Sequence, residues 1–187
     1  MCICFHSLAI SILALLTQMT FVGLCFSQTK NPQQHFVCNT GYSPQRCHDD
    51  VAILKQALSR YPVEELGDWT WVLVRSQDWK SIVLPRGLSS SCPAFTYYEK
   101  HETFIEEALV GESPIRRGEL LKEWAMTMPA LLDFAIAHEL GHALCNERNE
   151  AKANRIAYNL QRGNPIDCEV RPRAKSSPNL SAWSSRH

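Results

Sequence analysis

The chain has 187 residues, 45% of them hydrophobic and 20% charged, with 19 Lys and Arg balanced by 19 Asp and Glu. Zero formal net charge and the lack of any basic stripe argue against a nucleic-acid partner. The length, less an N-terminal leader, is that of one ordinary domain with enough chain to bury a core.

The leader is the apolar stretch that starts at Leu8 and continues to Phe26, followed by polar residues from Ser27 to Pro32. It reads as a secretory signal peptide over residues 1–27, which makes the protein secreted or periplasmic. The basic segment that usually precedes such a stretch is missing, and the apolar span approaches about 20 residues. An uncleaved membrane anchor is therefore the alternative. The domain then occupies residues 28–168, and the Ser-, Pro- and Arg-rich tail 169–187 is expected to be disordered.

After a polar lead to Gln34, Val51, Ile53, Leu54, Ala57 and Leu58 form one helical face within residues 46–61, ended by Pro62. Trp69 to Arg75 is aromatic and β-branched, hence a strand. Ser81 to Leu84, ended by Pro85, reads as a second short strand or turn segment. Across residues 94–110, Phe95, Tyr97, Thr103 and Ile105 alternate in places, which suggests strands with a turn near Lys100 and His101. Residues 119–126 look helical. A further helix starts near Pro129 or Ala130, where proline suits the first turn. A last helix over 151–161 buries Ala153, Ile156, Ala157 and Leu160 and stops at Gly163. No internal repeat is visible.

The chemistry concentrates in Ala137-His138-Glu139-Leu140-Gly141-His142. Residues four apart lie one turn above each other on a helix, so His138 and His142 can offer two imidazole nitrogens to one metal ion. Glu139 is rotated by about a third of a turn, which places a carboxylate beside the metal instead of on it. There it can accept a proton from metal-activated water. Gly141 costs about 1 kcal/mol relative to Ala inside a helix, so its presence suggests that something approaches the backbone closely. The competing reading is a core helix whose two histidines only make hydrogen bonds.

The His-Glu-x-x-His pattern resembles that of the zincin metallopeptidases. Downstream, Asn149-Glu150-x-x-Ala153-Asn154 is similar to the Asn-Glu-x-x-Ser-Asp motif of thermolysin-like gluzincins, and more loosely to the Glu-x-x-Ala-Asn/Asp motif of small single-domain zincins (minigluzincins). The resemblance covers residues 138–154. It implies an α+β zincin-like domain in which a small mixed sheet packs on the active-site helix and a second, ligand-bearing helix follows. It also implies Zn²⁺ held by His138, His142 and Glu150, with Asn154 supporting a ligand histidine. Its implied activity is peptide-bond hydrolysis with Glu139 as general base, on a peptide or protein substrate lying antiparallel to an edge strand within residues 94–110. Tyr158 and His101 are candidates for stabilising the oxyanion.

Two features depart from the family pattern. The step from His142 to Glu150 is short, so the chain must turn sharply near Cys145 to Glu147. Asn154 stands where a charged Asp would raise imidazole basicity. Glu147 is the competing third ligand if the chain turns early. A zinc-binding module of the same fold that cleaves nothing is the alternative function, and a metal-free structural domain is a third.

Of eight cysteines, Cys2, Cys4 and Cys25 belong to the leader. Cys38, Cys47, Cys92, Cys145 and Cys168 remain, an odd number that reads as two disulfides and one thiol in an exported protein. The preferred pairs are Cys38–Cys47 and Cys145–Cys168. The second would hold Glu150 near the histidines, and its alternative is a buried Cys145 thiol.

Overall fold

The computed structural model describes residues 33–169, so the leader (1–27) and all of the tail beyond Glu169 lie outside the described residues. Four strands form one mixed sheet: β1 (Gln34–Cys38), β2 (Trp69–Val74), β3 (Ala94–Tyr97) and β4 (Glu102–Glu106), in the order β1-β2-β4-β3. β1, β2 and β4 run parallel, and β3 pairs antiparallel with β4 at the edge. Among the described residues there are six α-helices: α1 (Pro44–Leu58), α2 (Ser76–Val83), α3 (Glu107–Val110), α4 (Pro114–Trp124), α5 (Met128–Cys145) and α6 (Glu150–Gln161). The domain is α+β with a small mixed sheet, as the sequence led one to expect.

Alternation in β2 gives the sheet its inner face. Trp69, Trp71 and Leu73 are buried there with Ala94 and Ile105 from the neighbouring strands, and α1 and α5 pack over them. A side chain of the size of Leu73 or Ile105 contributes about 1.5–3 kcal/mol by leaving water. Every residue of the long helix α5 from Phe134 to His142 is buried, so this stretch has no face left for solvent. It starts from Thr127, whose hydroxyl accepts from Ala130 N, with Pro129 in the first turn. It ends where Asn146 turns left-handed at φ 46°.

Two local expectations are corrected. Residues 81–84 are not a strand: Ser81 to Val83 close α2, and Leu84 begins a short 3₁₀ turn. Trp79 and Val83, one helical turn apart, are both buried against Val74 and Phe95 on the sheet's outer face, and that spacing outweighs a β-branched pair. β1 has no counterpart in the expected elements. Its residues alternate only between half-buried and exposed, so its strand character comes from the ladder with β2.

Both expected disulfides, Cys38–Cys47 and Cys145–Cys168, are formed, and Cys92 is the odd, buried thiol. Two such bonds point to an oxidising compartment. Among the described residues, no helix is long and apolar enough to cross a membrane.

Candidate metal centre

The last two turns of α5 and the first turn of α6 meet in a His-His-Glu cluster. After the left-handed Asn146, Glu147 N donates back to His142 O at 3.0 Å, which reverses the chain. Asn149 then caps α6, its side-chain oxygen accepting from Lys152 N at 3.0 Å, and Glu150 falls in the first turn. The short step from His142 to Glu150 is therefore enough. The Cys145–Cys168 bond closes the far side of this turn.

His138 Nε2 and His142 Nε2 are 2.9 Å apart. Glu150 Oε2 lies 3.1 Å from His138 Nε2, and Glu150 Oε1 lies 3.5 Å from His142 Nε2. In a tetrahedral zinc site with bonds of about 2.0–2.1 Å, ligand atoms stand about 3.3 Å from one another. The three separations bracket that value, and this group can hold a metal ion. The tautomers agree with that role. His142 Nδ1 is 2.5 Å from the carbonyl oxygen of Glu147, an acceptor only, so Nδ1 carries the proton. His138 Nδ1 is 3.0 Å from Asn154 Oδ1, which assigns it the same form. With Nδ1 of each ring taken up in this way, the two Nε2 atoms and the Glu150 carboxylate face one point, where a bound cation would take the place of the Nε2 protons. The Asn154 amide nitrogen is buried and has no hydrogen-bond partner among the described residues.

Glu147 presents its carboxylate elsewhere, to Asn149 N at 2.8 Å and Lys152 Nζ at 3.3 Å. Its backbone carbonyl, not its side chain, serves the centre. Gly141 explains how α6 comes so close: a Cβ there would stand 2.8 Å from the Ala153 carbonyl oxygen.

Burial raises Glu139 to about 7, against the charge of His142 and a hydrogen bond from Thr96. With no metal on Nε2, burial opposes a charge on His142, yet hydrogen bonding to Glu150 and the nearby Glu139 push it up to about 9. Glu150 is likewise penalised by burial, but its two histidine partners hold it well below the usual carboxylate range. Glu139 itself is outside the ligand cluster. Its Oε2 accepts from Thr96 Oγ1 at 2.8 Å.

A cavity of 320 Å³ opens on the cluster, lined by His138, Glu139, His142 and Glu150 together with edge-strand residues Ala94, Phe95 and Thr96, and by Leu88, Tyr98, Glu99 and Arg148. Neither sequence-based oxyanion candidate lines it. Tyr158 is on the outer side of α6 beneath the Arg162 guanidinium, 3.9 Å from its ring centroid, and His101 stacks on Trp69 at 5.4 Å. Tyr98 is there instead, its hydroxyl donating to Glu147 O at 2.6 Å. Thr96 and Tyr98, two apart around the end of β3, were not singled out from sequence. Their spacing was the available signal, but the alternation of Phe95 and Tyr97 drew attention to the other face.

No family model, no curated protein and no solved structure matches this chain. The reading of the site thus rests on its own residues.

Proposed function

We propose that this chain is an exported zinc-dependent metallopeptidase of zincin type, hydrolysing peptide bonds with Glu139 as general base. The observation that carries the reading is the division of labour along α5: His138 and His142 converge with Glu150 of α6 on a metal-sized point, while Glu139 stands beside it, on the cavity wall. Zinc held there supplies a Lewis acid that brings the pKa of water to about 7. Glu139 accepts the proton of the attacking water and hands it to the leaving amine. An extended substrate adds to β3, whose outer edge is unpaired in the sheet and whose residues line the cavity. Leu88 and Phe95 offer apolar surface to a substrate side chain.

One observation favours the second reading, a zinc-binding module that cleaves nothing: Glu139 is only 2% exposed. Its partner, however, is a hydroxyl and not a cation, so the carboxylate keeps its capacity to take a proton.

Metal content measured by mass spectrometry on protein from Gln28 onward tests both. One zinc per chain, lost in Glu150→Ala and kept in Glu147→Ala, is expected. Peptide cleavage abolished by Glu139→Gln with zinc retained identifies the enzyme, whereas zinc without cleavage identifies the module. Folded protein that takes up no zinc overturns both readings.

A further inference from the structure

A line of polar side chains crosses the otherwise apolar inner face of the sheet and ends on Glu139. Trp69 Nε1 donates to Thr103 Oγ1 at 3.0 Å. Thr103 Oγ1 is 3.1 Å from Thr96 Oγ1, directly across the β3–β4 ladder. Thr96 Oγ1 is in turn 2.8 Å from Glu139 Oε2. Thr103 is fully buried, and Trp69 and Glu139 nearly so. Valine would fill the space of either threonine without a polar atom to satisfy, so the two hydroxyls are not required by packing alone.

The direction of the line follows from counting protons. An indole N–H only donates, so Thr103 Oγ1 accepts from Trp69. In the ionised form in which it acts as a base, the Glu139 carboxylate only accepts, so the single Thr96 proton is then committed to it. The Thr103 proton alone is left for the contact between the two hydroxyls. Every donor points the same way, from Trp69 toward Glu139, and hydrogen bonds in such a series polarise one another by about 10–30% per bond.

We propose that Trp69 and Thr103 are positioning residues for Glu139, acting through Thr96: the relay occupies Oε2 and turns Oε1 to the cavity as the oxygen that receives a proton. The proposal rests on the reading of Glu139 as general base. It assigns work to three residues that touch neither the metal ligands nor, for Trp69 and Thr103, the cavity.

The test uses the full chain, metal-free and zinc-loaded. Trp69→Phe identifies the Trp69 indole N–H resonance among the five tryptophans. In Glu139→Ala and in Thr96→Val that resonance is expected to move upfield, although the indole N–H donates to neither residue; an unmoved resonance in both overturns the relay. With the best-cleaved member of an internally quenched peptide library, Thr103→Val is expected to lower kcat several-fold at unchanged KM and unchanged zinc affinity, and Thr103→Ser to restore it. Thr103→Val with wild-type kcat would reduce the threonines to packing. If the wild type cleaves no peptide, the peptidase reading fails, and the indole resonance still decides the relay.

Discussion

Gly141 of α5 and Ala153 of α6 approach so closely that a Cβ on the glycine would stand 2.8 Å from the Ala153 carbonyl oxygen and 3.3 Å from Ile156 Cβ. The close approach of these two helices sets how deeply Glu150 reaches toward His138 and His142. In Gly141→Ala the gain in helix propensity of about 1 kcal/mol is opposed by a clash with backbone, which cannot rotate away. The variant is expected to lose stability by about 1–3 kcal/mol and to bind zinc more weakly. Calorimetry beside chelator competition checks this, and a variant that is more stable with unchanged zinc affinity would show that the helices can separate freely.

Tyr98 and His142 both donate to the carbonyl of Glu147, at 2.6 and 2.5 Å. Tyr98→Phe keeps the ring and removes one anchor of that carbonyl. A loss of about 1 kcal/mol, or roughly fivefold in zinc affinity, is expected, with little change in the melting of metal-free protein. Equal zinc affinity in titrations of the two proteins would leave Tyr98 as a wall of the cavity only.

The Cys145–Cys168 bond closes a loop of 23 residues' separation that contains Glu150 and all of α6. The chain-entropy model assigns such a loop about 3 kcal/mol. Cys145→Ser with Cys168→Ser is expected to lower the unfolding free energy by about that amount and to weaken zinc uptake, because Glu150 is carried within the loop. Urea titrations and zinc titrations check both, and loss of stability with full zinc affinity would separate the staple from the site.

Asp50 lies far from His138, His142 and Glu150 in sequence, buried against Gly111 and beside Glu107. Burial raises its pKa, with the Glu107 charge adding and Arg46 opposing. An acid raised in the folded state contributes stability below its unfolded pKa of about 3.9, and that contribution is lost as pH rises through the folded value. Asp50→Asn is therefore expected to gain stability relative to wild type as pH is taken from 4 to 7. Paired thermal melts across that range test it, and a difference that stays flat or shrinks with pH would show that Arg46 fully compensates the charge.

The site was more legible in the sequence than the sheet was. His138, Glu139 and His142 are placed by helix periodicity alone, and the apolar run before them marks a buried helix. Glu150 was named beside Glu147 through the resemblance of residues 149–154 to the gluzincin motif; the break at Asn146 and the cap at Asn149 are what the structure adds. The choice between the two glutamates needed the structure. It depends on where Asn149 and Lys152 draw the Glu147 carboxylate, and no spacing rule carries that. β1 was missed because a parallel edge strand takes its hydrogen bonds from a partner 35 residues away, Gln34 pairing with Trp69. Residues 81–84 were misread because Trp79, the residue that reveals the helical stripe, lies just outside the window.

By itself the sequence determined the helix carrying two histidines and a carboxylate, the helix that follows it, and a count of two disulfides with one thiol left over. These follow from periodicity and cysteine parity, which act over one or two helical turns or count residues without regard to distance; Glu150 as the third ligand came from the resemblance to gluzincins, and the disulfide partners were a preference until the structure paired them. Only the tertiary structure decided that Thr96 and Tyr98 face the site, that His101 and Tyr158 do not, and that Trp69 connects to Glu139. Those relationships join strands and helices remote in the chain, and they are set by sheet register and by the depth to which α5 and α6 pack. No local pattern of residues records either quantity.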